Sequence, residues 1–125
     1  MTPEEAAPES LEQLLRSVRE SNSDITGAAV VTVDGFSVAS DLEPDLDEEA
    51  VAALTADLLG HAARSMSEFG RGECEELHAR GGDGYVMVFR AGSEAVLVCL
   101  ANREASLGLL MLDMRRAAAK AAELM

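Results

Sequence analysis

The side chains best suited to catalysis or metal binding in this sequence are two histidines and two cysteines. His61, Cys74 and His78 lie nearest to one another along the chain, but their spacing matches no paired zinc ligands. A Cys74 nucleophile with His78 as its base fails on distance, because strand residues i and i+4 lie about 13 Å apart. We therefore predict no catalytic residue, no metal site and no cofactor, and we expect that the protein is not an enzyme.

The glycine-rich run Gly81 to Gly84 is the other motif that could handle a nucleotide. It contains no lysine and no helix pattern follows it, so it indicates a turn rather than a phosphate-binding loop.

Composition limits the classes of function further. The chain has 125 residues, a formal net charge of −13 and 48 % hydrophobic residues, which suits one domain with a real core. The negative charge disfavours nucleic acid and anionic lipid surfaces as partners. Residues 1–10 lack the apolar segment of a signal peptide, no stretch is long enough to insert in a membrane, and Cys74 and Cys99 suit buried thiols. We expect a cytoplasmic protein with a flexible acidic tail over residues 1–7 and one domain over residues 8–125.

The first half of the chain predicts a helix, a hairpin and a second helix. Leucines at helical spacing predict a helix from about Pro8 to Ser21. Two strands, Ala28–Val33 and Phe36–Ala39, flank Asp34-Gly35, which predicts a type I′ turn. The first strand is apolar on both faces, as expected for the middle of a covered sheet.

The second helix is predicted from an N-cap at Asp47 to about Phe69 and is unusually apolar. One apolar stripe is flanked by further alanines and Leu59, and only a narrow polar face remains. The stripe contains Val51, Leu54, Leu58, Ala62, Met66 and Phe69. Because so small a domain cannot surround a long helix, we expect this helix to contact both the sheet and a second subunit.

The second half predicts three strands and a helix. Glu73–Arg80 is charged, which is typical of an edge strand, and Tyr85–Ala91 and Ala95–Ala101 are apolar. A last helix from Glu104 or Ser106 to Glu123 would bury a stripe that begins at Leu107. The order α-β-β-α-β-β-β-α predicts an α+β sandwich with helices on both faces of one sheet.

These features together resemble the Roadblock family, the dynein-light-chain-like modules that bind and regulate small GTPases. The resemblance is carried by Gly27–Ser40 (GAAVVTVDGFSVAS), by Ala105–Leu124 and by the element order, over residues 8–124. It implies a five-stranded antiparallel sheet of order 2-1-5-4-3, with helix 2 on one face and helices 1 and 3 on the other. It also implies a homodimer through helix 2 and strand 3, as well as a role beside a bacterial Ras-like GTPase.

The resemblance places the expected sites on helix 2 and strand 3. The partner-binding candidates are the polar residues of helix 2: Asp57, His61, Arg64 and Glu68. The dimer-interface candidates are Ala52, Ala56, Leu59, Ala63, Glu76, His78 and Arg80. Arg64 and Arg71 are also nearest to the expected partner surface, where an arginine finger and an ordinary salt bridge stay indistinguishable.

Strand 3 favours self-pairing on its own charges. Glutamates fill its first half, and His78 and Arg80 its second, so antiparallel pairing centred near Leu77 or His78 sets opposite charges against each other. We predict a non-catalytic homodimeric module that binds a small Ras-like GTPase. The alternative is a scaffold or sensor that recruits a histidine kinase or another signalling protein without contacting a GTPase.

Overall fold

The computed structural model describes residues 8–125, so the predicted acidic tail at residues 1–7 lies outside the described residues. Three helices and five strands follow one another in the predicted order. They are α1 Leu11–Ser21, β1 Ile25–Thr32, β2 Ser37–Asp41, α2 Glu48–Glu68, β3 Glu76–Gly81, β4 Gly84–Arg90, β5 Ala95–Asn102 and α3 Leu107–Leu124.

The strands form one sheet of order β2-β1-β5-β4-β3, in which every neighbouring pair is antiparallel. This confirms the predicted fold class and strand order. β1 lies inside the sheet with both faces covered, as its continuous apolar sequence predicted, and β2 and β3 are the two edges.

The sheet separates two hydrophobic clusters because successive strand residues point to opposite faces. Ala28 and Val30 of β1 join the cluster under α1 and α3, while Ala29 and Val31 join the cluster under α2. One helix therefore covers one face and two helices cover the other, as expected.

The first helix begins later than predicted. Ser10 is its N-cap, since the Ser10 hydroxyl accepts a hydrogen bond from the Gln13 amide at 3.1 Å, and Pro8 lies outside the helix. The predicted apolar stripe is confirmed, with Leu14 and Leu15 among its buried residues.

The hairpin turn is also different from the predicted type I′ turn. A type I′ turn needs positive φ at both central residues, but only Gly35 has it, at 97°. The Gly35 amide donates to the Thr32 carbonyl, and the Thr32 amide donates to the Phe36 carbonyl at 2.8 Å. These two bonds close a three-residue loop, Val33 to Gly35, in which only the glycine needs the left-handed region.

Strand β3 begins at Glu76 rather than at the predicted Glu73. The Arg90 amide still donates to the Glu75 carbonyl at 3.1 Å, as the ladder requires. The Cys74 carbonyl instead accepts a hydrogen bond from the Arg90 guanidinium Nε at 3.1 Å, so a side chain rather than the β4 backbone holds the segment before the strand. In α3, Leu107 is 40 % exposed, so the buried stripe begins at Leu110 instead.

Candidate interaction site on helix α2 and strand β3

Helix α2 rests on the sheet through its small side chains. Ala52, Thr55 and Leu59 are buried, and the Thr55 hydroxyl is satisfied by donating to the Val51 carbonyl at 2.7 Å. The Gly35 turn passes so close beneath the helix that a Cβ there would lie 3.4 Å from the Ala56 Cβ. Short side chains on this side let the helix approach the sheet closely. Most of the larger apolar side chains of α2 lie on its other sides.

Those larger residues point outward. Leu54 is 63 %, Leu58 41 % and Phe69 74 % exposed, although the sequence placed all three on one stripe with Val51, Ala62 and Met66. The structure divides that stripe. Val51, Ala62 and Met66 pack against the cluster under α2, whereas Leu54, Leu58 and Phe69 face solvent. This exposed apolar group, Leu54, Leu58 and Phe69, is called here the α2 apolar flank.

The four predicted partner-binding residues share the outermost surface of the helix. Asp57, His61, Arg64 and Glu68 are all exposed, at spacings of one helical turn or nearly so. Within residues 8–125, none of them takes part in an ion pair. Their charges are therefore free of internal partners in the described part of the chain.

The dimer-interface candidates on α2 lie on the side of the helix that faces its own sheet. Ala52 is fully buried and Leu59 is 6 % exposed, while Ala56 and Ala63 are half-buried on the same inward side. These residues pack against their own sheet, because their small size suits the close approach of the helix. The apolar surface that α2 exposes consists instead of the α2 apolar flank.

Strand β3 places the other three candidates together at the free edge of the sheet. Glu76, His78 and Arg80 share the face covered by α1 and α3, opposite Phe89, Met87 and Tyr85 of β4. The His78 ring packs near the Phe89 ring at 5.5 Å between centroids, and the Arg80 guanidinium lies 5.7 Å from the Tyr85 ring centroid.

Glu76 is held by a residue of α3 that the sequence gave no reason to choose. The Arg115 guanidinium donates to both Glu76 carboxylate oxygens, at 2.7 and 2.9 Å, and His78 Nε2 lies 3.4 Å from the same carboxylate. The hydrogen bond from Arg115 holds the pKa of the Glu76 carboxyl below its usual range, against a smaller opposing effect of burial. The same bond raises the pKa of Arg115.

A groove of about 610 Å³ joins the helix to the strand. Leu58 of α2, Ala79 of β3 and Val86 of β4 line it, together with the Gly81–Gly84 turn. The predicted turn is confirmed there, as the link between β3 and β4. The α2 apolar flank thus continues onto the outer strand of the sheet.

The approach to α2 is acidic. Residues 41–49 contain six carboxylates and no basic residue, and most of them are exposed. Arg19 of α1 pairs with Asp41 at 2.9 Å, and the Ser40 hydroxyl donates to Glu48 at 2.6 Å, so only the ends of this segment have partners described here. A partner that docks beside this segment needs a basic surface.

The thiols and histidines are dispersed. Cys74 is buried under α2, His78 lies on the opposite face of the sheet, and His61 is exposed on α2. Cys74 and His78 therefore lie on opposite faces of the sheet, because Cys74 precedes β3 and does not follow the alternation of its side chains. Burial raises the pKa of the Cys99 thiol to about 12, and the Asp113 carboxylate contributes to the shift.

Two kinds of feature are absent from residues 8–125. No group of three His, Cys, Asp or Glu side chains there could hold a metal ion. No helix in that range is long and apolar enough to cross a membrane.

Sequence reasoning missed the α2 apolar flank and Arg115. The leucines were visible as part of a helix that is too apolar for one buried face, which is the signal that could have identified the flank. Arg115 had no such signal, because its partner Glu76 is 39 positions away.

Comparisons with known proteins agree with this architecture. The model of the Roadblock/LC7 domain matches residues 11–101. The uncharacterized protein MJ1340 of Methanocaldococcus jannaschii is 38 % identical over 96 residues, which are 77 % of this chain and 83 % of that protein.

Two solved structures share the fold. Myxococcus xanthus MglB superposes with a TM-score of 0.84 at 19 % identity, covering 91 % of this chain and 93 % of MglB. A Roadblock/LC7 domain from Streptomyces avermitilis superposes with a TM-score of 0.80 at 25 % identity, covering 87 % of this chain and 92 % of that domain. The chain belongs to the Roadblock/LC7 domain family.

Proposed function

We propose that this protein is a non-catalytic homodimeric regulator that binds a small Ras-like GTPase and modulates its nucleotide cycle or its location. The observation that carries the proposal is the outer surface of α2, where Asp57, His61, Arg64 and Glu68 are exposed beside the α2 apolar flank. The Roadblock/LC7 fold and the similarity to MglB are consistent with a GTPase-regulating module.

The two surfaces of α2 suit two different contacts. Leu58 faces the groove toward β3, where a second copy of the chain would extend the sheet and cover exposed apolar side chains. The polar residues lie on the outermost surface, which such a dimer would leave accessible. One helix can therefore serve the dimer and the GTPase together.

The dimer is tested by sedimentation equilibrium on matched leucine variants. Leu54→Asp places a charge in the proposed interface and is expected to weaken self-association at least about tenfold, since burying an unpaired charge is costly. Leu109→Asp is the control, because Leu109 is 50 % exposed on α3, on the other side of the molecule. Equal effects of the two substitutions would contradict this assignment of the interface.

GTPase binding is tested with a purified Ras-like GTPase encoded beside this gene, loaded with GDP or with a non-hydrolysable GTP analogue. Complex formation is expected with at least one nucleotide state, and affinity should fall as salt is raised because the surface around α2 is acidic. Asp57→Lys should weaken the complex about tenfold or more, whereas the control Glu12→Lys on exposed α1 should not. Absence of binding in both nucleotide states overturns the proposal.

The same mixture separates two forms of regulation. Single-turnover hydrolysis with wild-type protein and with Arg64→Ala reports whether Arg64 reaches the transferred phosphate, since an arginine finger contributes about 10³–10⁵ in rate. A rate that is unchanged by the wild-type protein assigns its role to localisation rather than to the nucleotide cycle.

A further inference from the structure

The hydrogen bonds between β3 and β4 decide which residues of β3 have backbone groups free at the open edge of the sheet. The Arg90 amide donates to the Glu75 carbonyl at 3.1 Å, which makes Glu75 a residue that bonds to β4. Bonded and non-bonded pairs alternate along an antiparallel ladder, so every second residue onward from Glu75 also bonds to β4. Glu76, His78 and Arg80 therefore direct their backbone N–H and C=O groups toward the open edge.

The side chains of the same three residues form an ordered row of charge. Glu76 is neutralised by Arg115 of its own subunit, His78 follows, and Arg80 lies against Tyr85 without a carboxylate among the ion pairs of residues 8–125. The row thus begins with an acidic group that can accept a second cation and ends with a free cation. An antiparallel strand with the same row complements it.

Symmetry limits the ways in which two copies can pair. Opposite residues of an antiparallel pair lie on the same face of the sheet, so a two-fold axis perpendicular to the sheet must place one residue opposite its own copy. The choices near the centre of β3 are Leu77, His78 and Ala79.

Only one of these choices gives all three edge residues, Glu76, His78 and Arg80, a partner within β3 of the second copy. With His78 on the axis, all three edge residues meet partners within β3, and each Glu76 faces Arg80 of the second copy. With Leu77 on the axis, Arg80 faces Cys74, which precedes the strand. With Ala79 on the axis, Glu76 faces Gly82 in the turn and His78 faces Arg80.

We propose that β3 pairs antiparallel with β3 of a second copy in the register that places His78 on the two-fold axis. This register rests on the homodimer proposed above and specifies it. Glu76 then lies between Arg115 of its own subunit and Arg80 of the other, so α3 is tied to the dimer edge through one carboxylate.

Cysteine cross-linking tests the register directly. Directly opposite residues have Cα atoms about 5.5 Å apart, within the range of a disulfide, whereas diagonal neighbours are about 7–8 Å apart. His78→Cys is therefore expected to form a disulfide-linked dimer under mild oxidation, and Leu77→Cys and Ala79→Cys are not. A mixture of Glu76→Cys and Arg80→Cys chains should cross-link, while neither variant alone should. The wild-type protein is the blank, since Cys74 and Cys99 are both buried.

The failure of the register can be told from the failure of the dimer. Sedimentation of the wild-type protein and of each variant runs in parallel, and circular dichroism checks that each variant is folded. A dimer that cross-links through Leu77→Cys or Ala79→Cys, or through no position, overturns the register alone. A wild-type protein that is monomeric at tens of micromolar overturns the homodimer and the register with it.

Discussion

The two faces of the sheet are built for different purposes. Under α1 and α3, a continuous cluster includes the large side chains Phe89, Leu97 and Leu110, all buried. Under α2, the buried cluster is smaller and consists mainly of valine, alanine and one leucine. The first face is closed by two helices, whereas the second is closed by one helix that keeps its largest apolar side chains outside.

The difference shows how one sequence divides its leucines between stability and contact. Leu109 and Leu112 of α3 are also exposed, but they lie on a helix whose buried stripe already contains Leu110 and Met114. In α2 the inward side has only Leu59 among its leucines, so the α2 apolar flank is its larger apolar surface. We therefore expect substitutions under α1 and α3 to change the free energy of unfolding, and substitutions on the α2 apolar flank to change association.

The largest expected effect on the free energy of unfolding comes from replacing one leucine on each side of the sheet by alanine. Leu110→Ala leaves a cavity under α3 and should lower the free energy of unfolding by about 2–5 kcal/mol. Leu54→Ala removes an exposed side chain and should change that free energy by less than about 0.5 kcal/mol. Urea denaturation measures both at a protein concentration at which wild type and variants sediment as monomers, because association would otherwise add to the apparent unfolding free energy. Comparable losses in the two variants would show that the division into stability and contact is mistaken.

A glycine pair tests how the edge hairpin is attached to the sheet. A Cβ at Gly84 would meet the Ala101 carbonyl of β5, so Gly84→Ala should destabilise the fold by about 1–3 kcal/mol. Gly108 of α3 has no atom within 4 Å of the same position, and Gly108→Ala should stabilise by about 0.4–1 kcal/mol. Thermal unfolding should show the two melting temperatures moving in opposite directions. A melting temperature of Gly84→Ala at or above that of the wild type would show that the hairpin can relax away from β5.

Much of this architecture was predictable because the relevant signals are local. The continuous apolar run of β1 predicted a central strand, and the helical spacing of Leu14, Leu15 and Val18 predicted the buried side of α1. The prediction of a type I′ turn at Asp34-Gly35 was wrong, because the same dipeptide also suits a three-residue loop in which only the glycine adopts positive φ.

The site was less predictable because it depends on competition between surfaces. Both sides of α2 are apolar, and only the distance between helix and sheet decides that Ala52 points inward and Leu54 outward. The start of β3 depends on Arg90, and the environment of Glu76 depends on Arg115, both far away in sequence. Periodicity along one element contains no information on such contacts.

Labelling of the two buried cysteines reports how readily each face of the sheet opens. Cys74 lies at the margin of the cluster under α2, next to exposed loop residues, whereas Cys99 lies within the larger cluster. Native-state thiol labelling should modify Cys74 about tenfold or more faster than Cys99, after each rate is divided by that of the unfolded chain. The division removes differences in intrinsic thiol reactivity between the two positions, whereas the raised pKa of buried Cys99 suppresses its thiolate until the face opens. Single-cysteine variants, Cys74→Ser and Cys99→Ser, assign the rates, and equal rates would mean that both faces open only by global unfolding.

The smallest expected effect concerns the ion pair that joins α3 to β3 on the face covered by α1 and α3. Because the pKa of Glu76 is lowered in the folded state, the unfolded chain binds more protons as the medium is acidified, and the Arg115 contribution is lost in that range. Wild type should therefore exceed Arg115→Gln in unfolding free energy at about pH 7, and the gap should close as the pH falls below about 4. The gap should be small because Arg115 is 53 % exposed in its side chain, and Arg116→Gln, which removes an exposed arginine without an ion pair in residues 8–125, is the control. Urea denaturation of the three proteins across this pH range measures it. A gap that is independent of pH would show that Arg115 acts through packing rather than through the Glu76 carboxylate.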